Sequence, residues 1–564
     1  MLMQRLSSGV LILLAFATAC SPASGGQGGG APEQGEARAP KTLTIGLLRE
    51  PATIDGFTGQ GGSRGGAGEA GALMHNLLTV QDPYEVDQPQ LAVELPSADR
   101  DTWRVNADGS MDITWKLQPN ARWHDGTPFT ADDVMFSLML HKDPDLAHAF
   151  TGQARTMQSA TAPDPHTVVV HWSRIDVRAL DTRVLSPVAK HLLEGLYTSD
   201  KEGFINSPRF TTEFIGLGPY RMVRWDPAAH IELARFDGYF RGPPPLDRVM
   251  VQFIRDPNIL LANALAGTVD LVPPPSIEIE QAAELRRRWE GTGNTVRVEP
   301  IPRIQYMELQ MGQELARPRN GFAQLAVRQG LYHALDRATL AEVMTLGLGP
   351  PADSWYRPDE PIRRELESAI PKFPYDSARA RQLLTQAGWT PGNDGTLVHG
   401  PSGERFELEV WMNPQSSEKA LAIIADQWKA IGVDPKPSVI PPARAEDREY
   451  TAQHPGPLLT GSFLDQLLVR YDSRDMASTV NRWSGRNRAG YVNLRADQLL
   501  DELATTVDPR ARLPLMREQV QTMMDDIALV PLYWEPRPLV ALRSVRADIH
   551  PHNVGWNAET WNKE

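Results

Sequence analysis

The sequence predicts an α/β or α+β protein built from several lobes. Its 564 residues are enough for two or three hydrophobic cores, and 41% of them are hydrophobic, as in ordinary globular proteins. Some short runs alternate apolar and polar residues like strands, whereas other stretches repeat apolar residues at helical spacing. The two kinds of segment do not alternate regularly, so a single simple parallel sheet is not expected.

Eight runs are typical of β-strands, because they are rich in Val, Ile, Tyr and Phe and are bounded by Gly, Pro or Asp. These runs are TLTIGL (42–47), MDITWKL (111–117), HTVVVHW (166–172), YRMVRW (220–225), IELARF (231–236), RVMVQFI (248–254), RIQYMELQM (303–311) and FELEVWM (406–412).

Two helices are predicted with both of their ends. In residues 375–389, Asp376 can cap the start and Gly388 stands where a glycine commonly ends a helix. In residues 421–433, apolar residues three or four positions apart form one stripe that ends at Gly432. A third stripe runs from Met516 to Ile527 near the C-terminus.

The N-terminus differs from the rest of the chain. About ten apolar residues follow Arg5, too few to span a bilayer but enough for the core of a signal peptide. They end in Ala-Thr-Ala-Cys at Cys20, the single cysteine, so no intramolecular disulfide is possible. This pattern resembles a bacterial lipoprotein signal and predicts a lipid on Cys20 after removal of residues 1–19. Residues 20–40, rich in Gly, Pro and Ala, are predicted to be a flexible tether.

Charge and composition argue against several other classes of function. The net charge is −13 without a basic stripe, which is unfavourable for nucleic-acid binding. Residues 66–71 match G-x-G-x-x-G, but the sequence before them is typical of a loop rather than the strand that dinucleotide binding requires. The thirteen histidines form no metal-binding motif. We therefore expect neither a cofactor nor a metal, and no catalytic triad candidate is found.

The stretch WHDGTPFTADDV (123–134) contains His124 beside Asp125 and invites an active-site interpretation. A structural interpretation accounts for it fully. Asp125-Gly126 is a turn, Thr130 is a helix N-cap, and Asp133 is the second member of a capping box. No nucleophile stands near His124, so we predict that this stretch is structural.

Several segments, taken in order, resemble family 5 extracytoplasmic solute-binding proteins, the substrate-binding subunits of ABC importers for peptides and nickel complexes. The segments are QLAVEL (90–95), DITWKL (112–117), ARWHDGTPFTADDV (121–134), APDPHTVVVHW (162–172), GLGPYRMVRWDP (216–227), PPPLDRVMVQFIRDPN (243–258), LANALAGTVDLV (261–272), AVRQGLYHALDR (326–337) and YDSARARQLLTQAGW (375–389). The resemblance covers about residues 41–564.

The resemblance implies a two-lobe periplasmic-binding-protein type II fold of the α/β class, with an extra subdomain in the first lobe. Carried onto this chain, lobe one comprises 41–75, 205–300 and 526–564, the inserted subdomain 76–204, and lobe two 301–525. The implied function is capture of a solute between the lobes and delivery to a membrane permease, without catalysis. We expect a monomer anchored on the extracytoplasmic face of a membrane.

Peptide-binding relatives carry an acid for the ligand's ammonium in a Trp-x-(Gly/Ala)-Asp segment. The best match is LLTGSFLDQ (458–466), which places Ser462 at the acid's position and Asp465 three residues later. Because a neutral hydroxyl stands there, the ligand can be a peptide, an oligosaccharide or another neutral molecule. A receptor that senses a ligand without transporting it is a further alternative. The aromatic candidates for the cleft are Tyr306, Trp355, Tyr356, Trp411 and Trp483, of which Trp411 is better explained by core packing.

Overall fold

The computed structural model describes residues 39–51, 53–54, 67–146, 154, 156–414, 416–445 and 447–564. The side chains of residues 67–69, 442 and 465 are outside this description. The predicted signal peptide with Cys20, and almost all of the predicted tether, lie outside the described residues.

The strands are numbered in chain order. They are β1 (Thr42–Leu47), β2 (Thr79–Gln81), β3 (Asp87–Pro89), β4 (Trp103–Val105), β5 (Met111–Lys116), β6 (Met157–Asp164), β7 (Thr167–Trp172), β8 (Tyr220–Asp226), β9 (His230–Arg235), β10 (Arg248–Phe253), β11 (Leu271–Val272), β12 (Thr295–Glu308), β13 (Trp389–Pro391), β14 (Leu397–His399), β15 (Glu407–Met412), β16 (Asp434–Val439), β17 (Leu458–Phe463), β18 (Leu529–Ala541), β19 (Val545–Arg546) and β20 (Asn562–Lys563). All eight predicted runs are strands, namely β1, β5, β7, β8, β9, β10, β12 and β15.

The α-helices are numbered in the same way. They are α1 (Ala67–Met74), α2 (Ala131–Lys142), α3 (Lys190–Ser199), α4 (Lys201–Ile205), α5 (Pro257–Ala266), α6 (Ile279–Arg288), α7 (Leu325–His333), α8 (Arg337–Thr345), α9 (Pro361–Leu366), α10 (Ser377–Gln386), α11 (Glu418–Lys429), α12 (Arg448–Ala452), α13 (Leu464–Leu467), α14 (Leu494–Thr505) and α15 (Pro509–Asp525). The predicted cap of α10 is confirmed, because the Asp376 carboxylate accepts a hydrogen bond from the Arg379 amide at 2.8 Å. Gly388, two residues past its end, has a φ of 89° that favours glycine.

Ten strands form one large sheet in the order β16-β15-β17-β12-β18-β11-β1-β10-β9-β8. Strands β15, β16 and β17 run parallel to one another, as do β1, β10 and β11. Between these two groups lie β12 and β18, which are antiparallel to each other. The sheet therefore consists of two parallel groups joined through a central antiparallel pair, with the antiparallel strands β9 and β8 added at its β10 edge.

The central pair is interrupted midway along its length. Residues 295–300 of β12 pair with residues 536–541 of β18, and pairing resumes at Ile304 with Trp534 after a shift of register. The interruption follows the Pro300–Pro536 pair and contains Pro302, and prolines lack an amide hydrogen for the ladder. Within it, the Arg303 guanidinium donates to the Glu535 carboxylate across the two strands. Both long strands are thus irregular at the same level of the sheet, where their backbones can bend.

The three largest clusters of buried apolar side chains follow this arrangement. One draws its residues from 304–534, the second from 78–217, and the third from 43–271 and 539–561. Strand β18 contributes to the first through Trp534 and to the third through Leu539. The lobe boundaries expected from the resemblance stay a prediction.

The WHDG stretch has the structural role that the sequence predicts. Thr130 and Asp133 form a capping box at the start of α2, with the Asp133 carboxylate accepting from the Thr130 amide at 3.0 Å. Trp123 is 1% exposed, and its indole donates to the same carboxylate at 3.3 Å. Asp125 accepts from the Thr127 amide at 2.9 Å, as expected of a turn.

His124 joins this stretch to the glycine-rich segment 216–220. Its Nδ1 accepts from the Gly216 amide at 3.1 Å, and its Nε2 lies 3.1 Å from the Gly218 carbonyl oxygen. Since Nδ1 accepts, the proton of the neutral ring is on Nε2, which donates to Gly218. Burial lowers the pKa of His124 to about 4, so the ring is neutral at pH 7. Two of the segments that carry the family resemblance are therefore held together by one imidazole.

Candidate functional site

The carboxyl ends of β15, β16 and β17 lie at one edge of the large sheet, because these strands are parallel. In open α/β sheets, ligands bind beyond the carboxyl ends of the parallel strands. Ser462 is the penultimate residue of β17, and α13, which contains Asp465, follows directly. The fold thus brings the segment that the sequence singled out to the edge where a ligand is expected.

Ser462 and Tyr306 lie on the same face of the sheet. Ser462 pairs with Ile304 of β12, and Tyr306 pairs with Thr460 of β17. Opposed residues share a face, and residues two positions apart on a strand share it too, so Ser462 and Tyr306 are diagonal neighbours. Ser462 is 3% exposed and Tyr306 is fully buried. Two of the predicted site residues are therefore brought together.

Tyr306 belongs to a group of buried and half-buried polar and charged side chains, which we call the polar cluster. The polar cluster consists of Tyr306, Glu308, His454, Arg470, Tyr471 and Arg488. The Glu308 carboxylate lies 3.3 Å from Nε2 of His454, and both side chains are almost completely buried. Among the described residues, the hydroxyls of Tyr306 and Tyr471 have no hydrogen-bond partner.

The electrostatics of the polar cluster favour hydrogen-bond donors. Burial raises the pKa of both tyrosine hydroxyls, which therefore keep their protons. Burial also opposes ionisation of Glu308, but the contact with His454 and the neighbouring guanidiniums lower its pKa below the ordinary value. Two guanidiniums and two hydroxyls surround one carboxylate, so the arrangement suits a ligand group that carries oxygen acceptors.

Sequence analysis missed Glu308, Arg470, Arg488, His454 and Tyr471. Only Glu308 gives a detectable signal, because it continues the alternation of Ile304 and Tyr306 on a predicted strand with a charged residue. Arg470 lies in a short 3-10 helix and Arg488 on a loop, both far along the chain, and no spacing rule links them to β12.

Three other aromatic candidates, Trp355, Tyr356 and Trp411, are buried by packing against other side chains. Trp355 is fully buried and Tyr356 is 4% exposed, and both belong to the largest apolar cluster. Trp411 is 7% exposed and packs against Tyr450 with ring centres 4.8 Å apart, in agreement with the expected packing role. A ligand contact by Trp355 stays a prediction.

Trp483 lies in a strained loop. Arg482 and Trp483 have φ values of 52° and 57°, a conformation that is costly for bulky side chains. The loop is closed tightly, because a Cβ on Gly485 would lie 2.5 Å from the Met476 carbonyl carbon. At its tip, Val480 is 94% exposed. Such strain is commonly retained where a loop has a function, and the linear sequence gives no sign of it.

Asp465 has its backbone in α13, but its side chain lies outside the described residues, as does Cys20. In the described part of the chain, no three His, Cys, Asp or Glu side chains converge as a metal site would require. Within the same residues, no helix has the length and apolar character needed to cross a membrane.

Comparison with known families gives one match over most of the chain. The model for bacterial extracellular solute-binding proteins, family 5, matches residues 89–491. The oligopeptide-binding protein AppA of Bacillus subtilis is 24% identical over 98% of this chain and 97% of its own length. The heme-binding protein A of Haemophilus influenzae is also 24% identical, over 64% of this chain and 65% of its own length.

Solved structures share the fold. The AppA structure from Bacillus subtilis, in complex with a nonapeptide, superposes with a TM-score of 0.67 at 21% identity, covering 93% of this chain and 100% of the other. NikZ from Campylobacter jejuni, in complex with Ni(L-His), gives 0.68 at 22% identity with the same coverages. The predicted fold class is thereby confirmed.

Proposed function

The chain belongs to family 5 of the bacterial extracellular solute-binding proteins, and from this premise we propose that it captures a solute between two lobes and presents it to an ABC permease. The mechanism is recognition without bond-making. A ligand that contacts both lobes binds the closed form more tightly and shifts a pre-existing equilibrium toward it.

The observation that carries this proposal is the interrupted central pair. Strands β12 and β18 are the connection between the two parallel groups of the large sheet, and both are irregular at the same height, near Pro300 and Pro536. A hinge requires a few residues that absorb a backbone rotation while the packed units on both sides stay rigid. This short irregular segment between two large apolar clusters fits that requirement.

We propose a peptide or a related small molecule as the ligand, with a neutral ligand such as an oligosaccharide as the alternative. The peptide proposal is supported by AppA, whose structure holds a nonapeptide. The neutral alternative is favoured by Ser462, because a buried ammonium without a carboxylate partner costs several kcal/mol, on the order of 3–5. The donors of the polar cluster are compatible with either ligand, since both carry carbonyl or hydroxyl oxygens.

Calorimetric titration of a peptide library decides between these ligand classes, using wild type, Ser462→Asp and Asp465→Asn. Ser402→Asp is the control, because it adds the same charge on an exposed serine in the turn before β15, away from the carboxyl ends of the parallel strands. If Ser462 occupies the acid's position, wild type binds charged peptides weakly and Ser462→Asp gains roughly tenfold or more. Native mass spectrometry of the purified protein identifies any ligand that copurifies.

The contrary outcomes are distinct. Peptide binding that Asp465→Asn abolishes, with little effect of Ser462→Asp, assigns the ammonium to Asp465. Tight peptide binding that survives Asp465→Asn contradicts both assignments. If wild type binds no solute and no ligand copurifies, the proposed capture function is wrong.

We also propose that Cys20 carries a lipid that anchors the protein to the membrane through the predicted tether. The support is the short apolar segment ending at the single cysteine. Membrane fractionation should place wild type in the membrane and Cys20→Ala in the soluble fraction, with Ser24→Ala in the tether as control. Equal membrane association of wild type and Cys20→Ala would contradict the anchor.

A further inference from the structure

The hairpin between β2 and β3 has a tip, Asp82–Val86, whose shape is set by one side chain. The Asp82 carboxylate accepts from the amides of Tyr84 at 2.8 Å and Val86 at 3.0 Å. Glu85, between them, has a φ of 62°, which favours glycine rather than glutamate. A glutamate in this conformation suggests that its carboxylate is needed at this place.

The hairpin tip rests on the C-terminal segment, which follows β18. Asn553 donates through its side-chain amide to the carbonyl oxygen of Gln81. The rings of Tyr84 and His550 lie 5.9 Å apart, and the Glu85 carboxylate is 3.7 Å from Nε2 of His552. These contacts fix the tip on residues that are expected to belong to lobe one.

On its other side, Glu85 meets Arg357, a residue of the predicted lobe two. The Glu85 carboxylate lies 3.6 Å from Nη1 of Arg357, whose side chain is only 3% exposed. Nη1 has no hydrogen-bond partner among the described residues. Arg357 is also held by Asp359, which accepts from its Nε at 3.2 Å, and by Glu360 at 3.7 Å. Its guanidinium is therefore fixed by neighbours in the predicted lobe two, and Nη1 lies between the carboxylates of Glu360 and Glu85.

We propose that Glu85 is an electrostatic latch that holds the two lobes closed by binding Arg357. The proposal rests on the proposed function, because it assumes that lobes move about the interruption in β12 and β18. When the lobes separate, Glu85 leaves with the hairpin, whereas Asp359 and Glu360 stay with Arg357. The latch therefore acts on the closed form alone and sets how readily the protein closes without a ligand.

A nearly buried guanidinium makes this contact stronger than an ordinary surface pair. Exposed ion pairs contribute little, because water and salt screen them. Arg357 is shielded from water in the closed form, so its attraction to Glu85 is screened less there than in an exposed pair. The same subdomain meets the predicted lobe two again where the Val177 amide donates to the Ala504 carbonyl oxygen at 3.3 Å. That backbone hydrogen bond joins two uncharged groups, so it does not provide an electrostatic attraction like that between Glu85 and Arg357.

The test measures lobe separation without any ligand. Spin labels on Val105→Cys and Lys429→Cys, both exposed, are placed in the full chain carrying Cys20→Ser. Distances between the labels are then compared for this parent, Glu85→Gln and Glu85→Asp. Glu85→Gln removes the charge and leaves shape and backbone demands nearly unchanged. Glu94→Gln is the matched control, because Glu94 pairs at 3.1 Å with Arg100 of its own subdomain.

We expect Glu85→Gln to lower the ratio of short to long separations about three- to tenfold, and Glu85→Asp to retain part of it. Glu94→Gln should match the parent. In one contrary outcome, the parent exchanges between a short and a long label separation while Glu85→Gln shows the same distribution. In that case the latch is wrong and the hinge stands. If the parent shows a single separation that no variant alters, both the latch and the hinge are wrong, whatever the peptide titrations show.

Discussion

Gly216→Ala is expected to prevent stable folding, with a loss of about 4 kcal/mol or more in the free energy of unfolding. A Cβ on Gly216 would lie 2.0 Å from the Met74 carbonyl oxygen and 3.0 Å from its carbonyl carbon. Both atoms belong to the backbone of Met74, the last residue of α1, so no flexible side chain can move aside. Urea unfolding followed by tryptophan fluorescence measures the loss.

The control for this variant is Gly195→Ala. Gly195 lies within α3, and a Cβ there would meet nothing within 4 Å. Alanine is the better helix former, so this variant should keep its stability or gain up to about 1 kcal/mol. If Gly216→Ala folds with wild-type stability, the close approach to Met74 is wrong.

His124→Ala should destabilise the protein by about 2–3 kcal/mol at pH 7 without changing the ligand preference. Its removal leaves the Gly216 amide and the Gly218 carbonyl without their side-chain partner, and buried polar groups left unpaired are costly. The ring also packs against Phe236 with centres 5.1 Å apart. Complete loss of solute binding in a variant that folds normally would contradict this structural role.

The stability that His124 contributes should decrease as the pH is lowered. The pKa of His124 is lowered from 6.5 to about 4 in the folded protein. Between these values the unfolded chain binds more protons, so stability falls as the pH is lowered. The contribution of neutral His124 to the free energy of unfolding is fully present above about pH 6.5 and is lost toward pH 4. Its upper limit is about 3 kcal/mol.

Unfolding free energies of wild type and His124→Ala, measured at intervals from pH 7 to pH 4, test this dependence. The difference between the two proteins should be largest at pH 7 and should shrink toward pH 4. His230→Ala is the control, because His230 contacts Asp226 only at 3.6 Å near the surface. An equal difference at every pH would contradict a neutral, buried His124.

The sequence predicts those parts of the fold in which local chemistry and tertiary packing agree. The Thr130–Asp133 capping box and the Asp376 cap follow from side chains that satisfy nearby backbone amides. Strands such as β5 alternate apolar and polar residues because one face is buried. The partners of His124 could not be predicted, since Gly216 lies 92 residues away and nothing in the local pattern specifies a hydrogen bond over that separation.

Among the strands that the sequence missed or shortened, β16 and β12 have clear physical causes. β16 contains Pro435 and Pro437, which argue against a strand unless it lies at an edge, and β16 is indeed the last strand of the large sheet. β12 begins at Thr295, eight residues before the predicted run, because Pro300 and Pro302 hide its first half. In the candidate site, Ser462 was found from the resemblance and Tyr306 as an aromatic candidate. Arg470 lies in a short 3-10 helix and Arg488 on a loop, where no periodic signal marks them.

The position of β18 has a consequence for how the chain acquires its structure as it is synthesised. Residues 529–541 are near the C-terminus, yet this strand lies at the centre of the ten-stranded sheet. Without it, β12 and β11 have no shared neighbour, and the sheet is two separate sheets with unpaired edges. Strands β1 to β17 are therefore all synthesised before residues 529–541, and neither half of the sheet can be completed until this strand has left the ribosome.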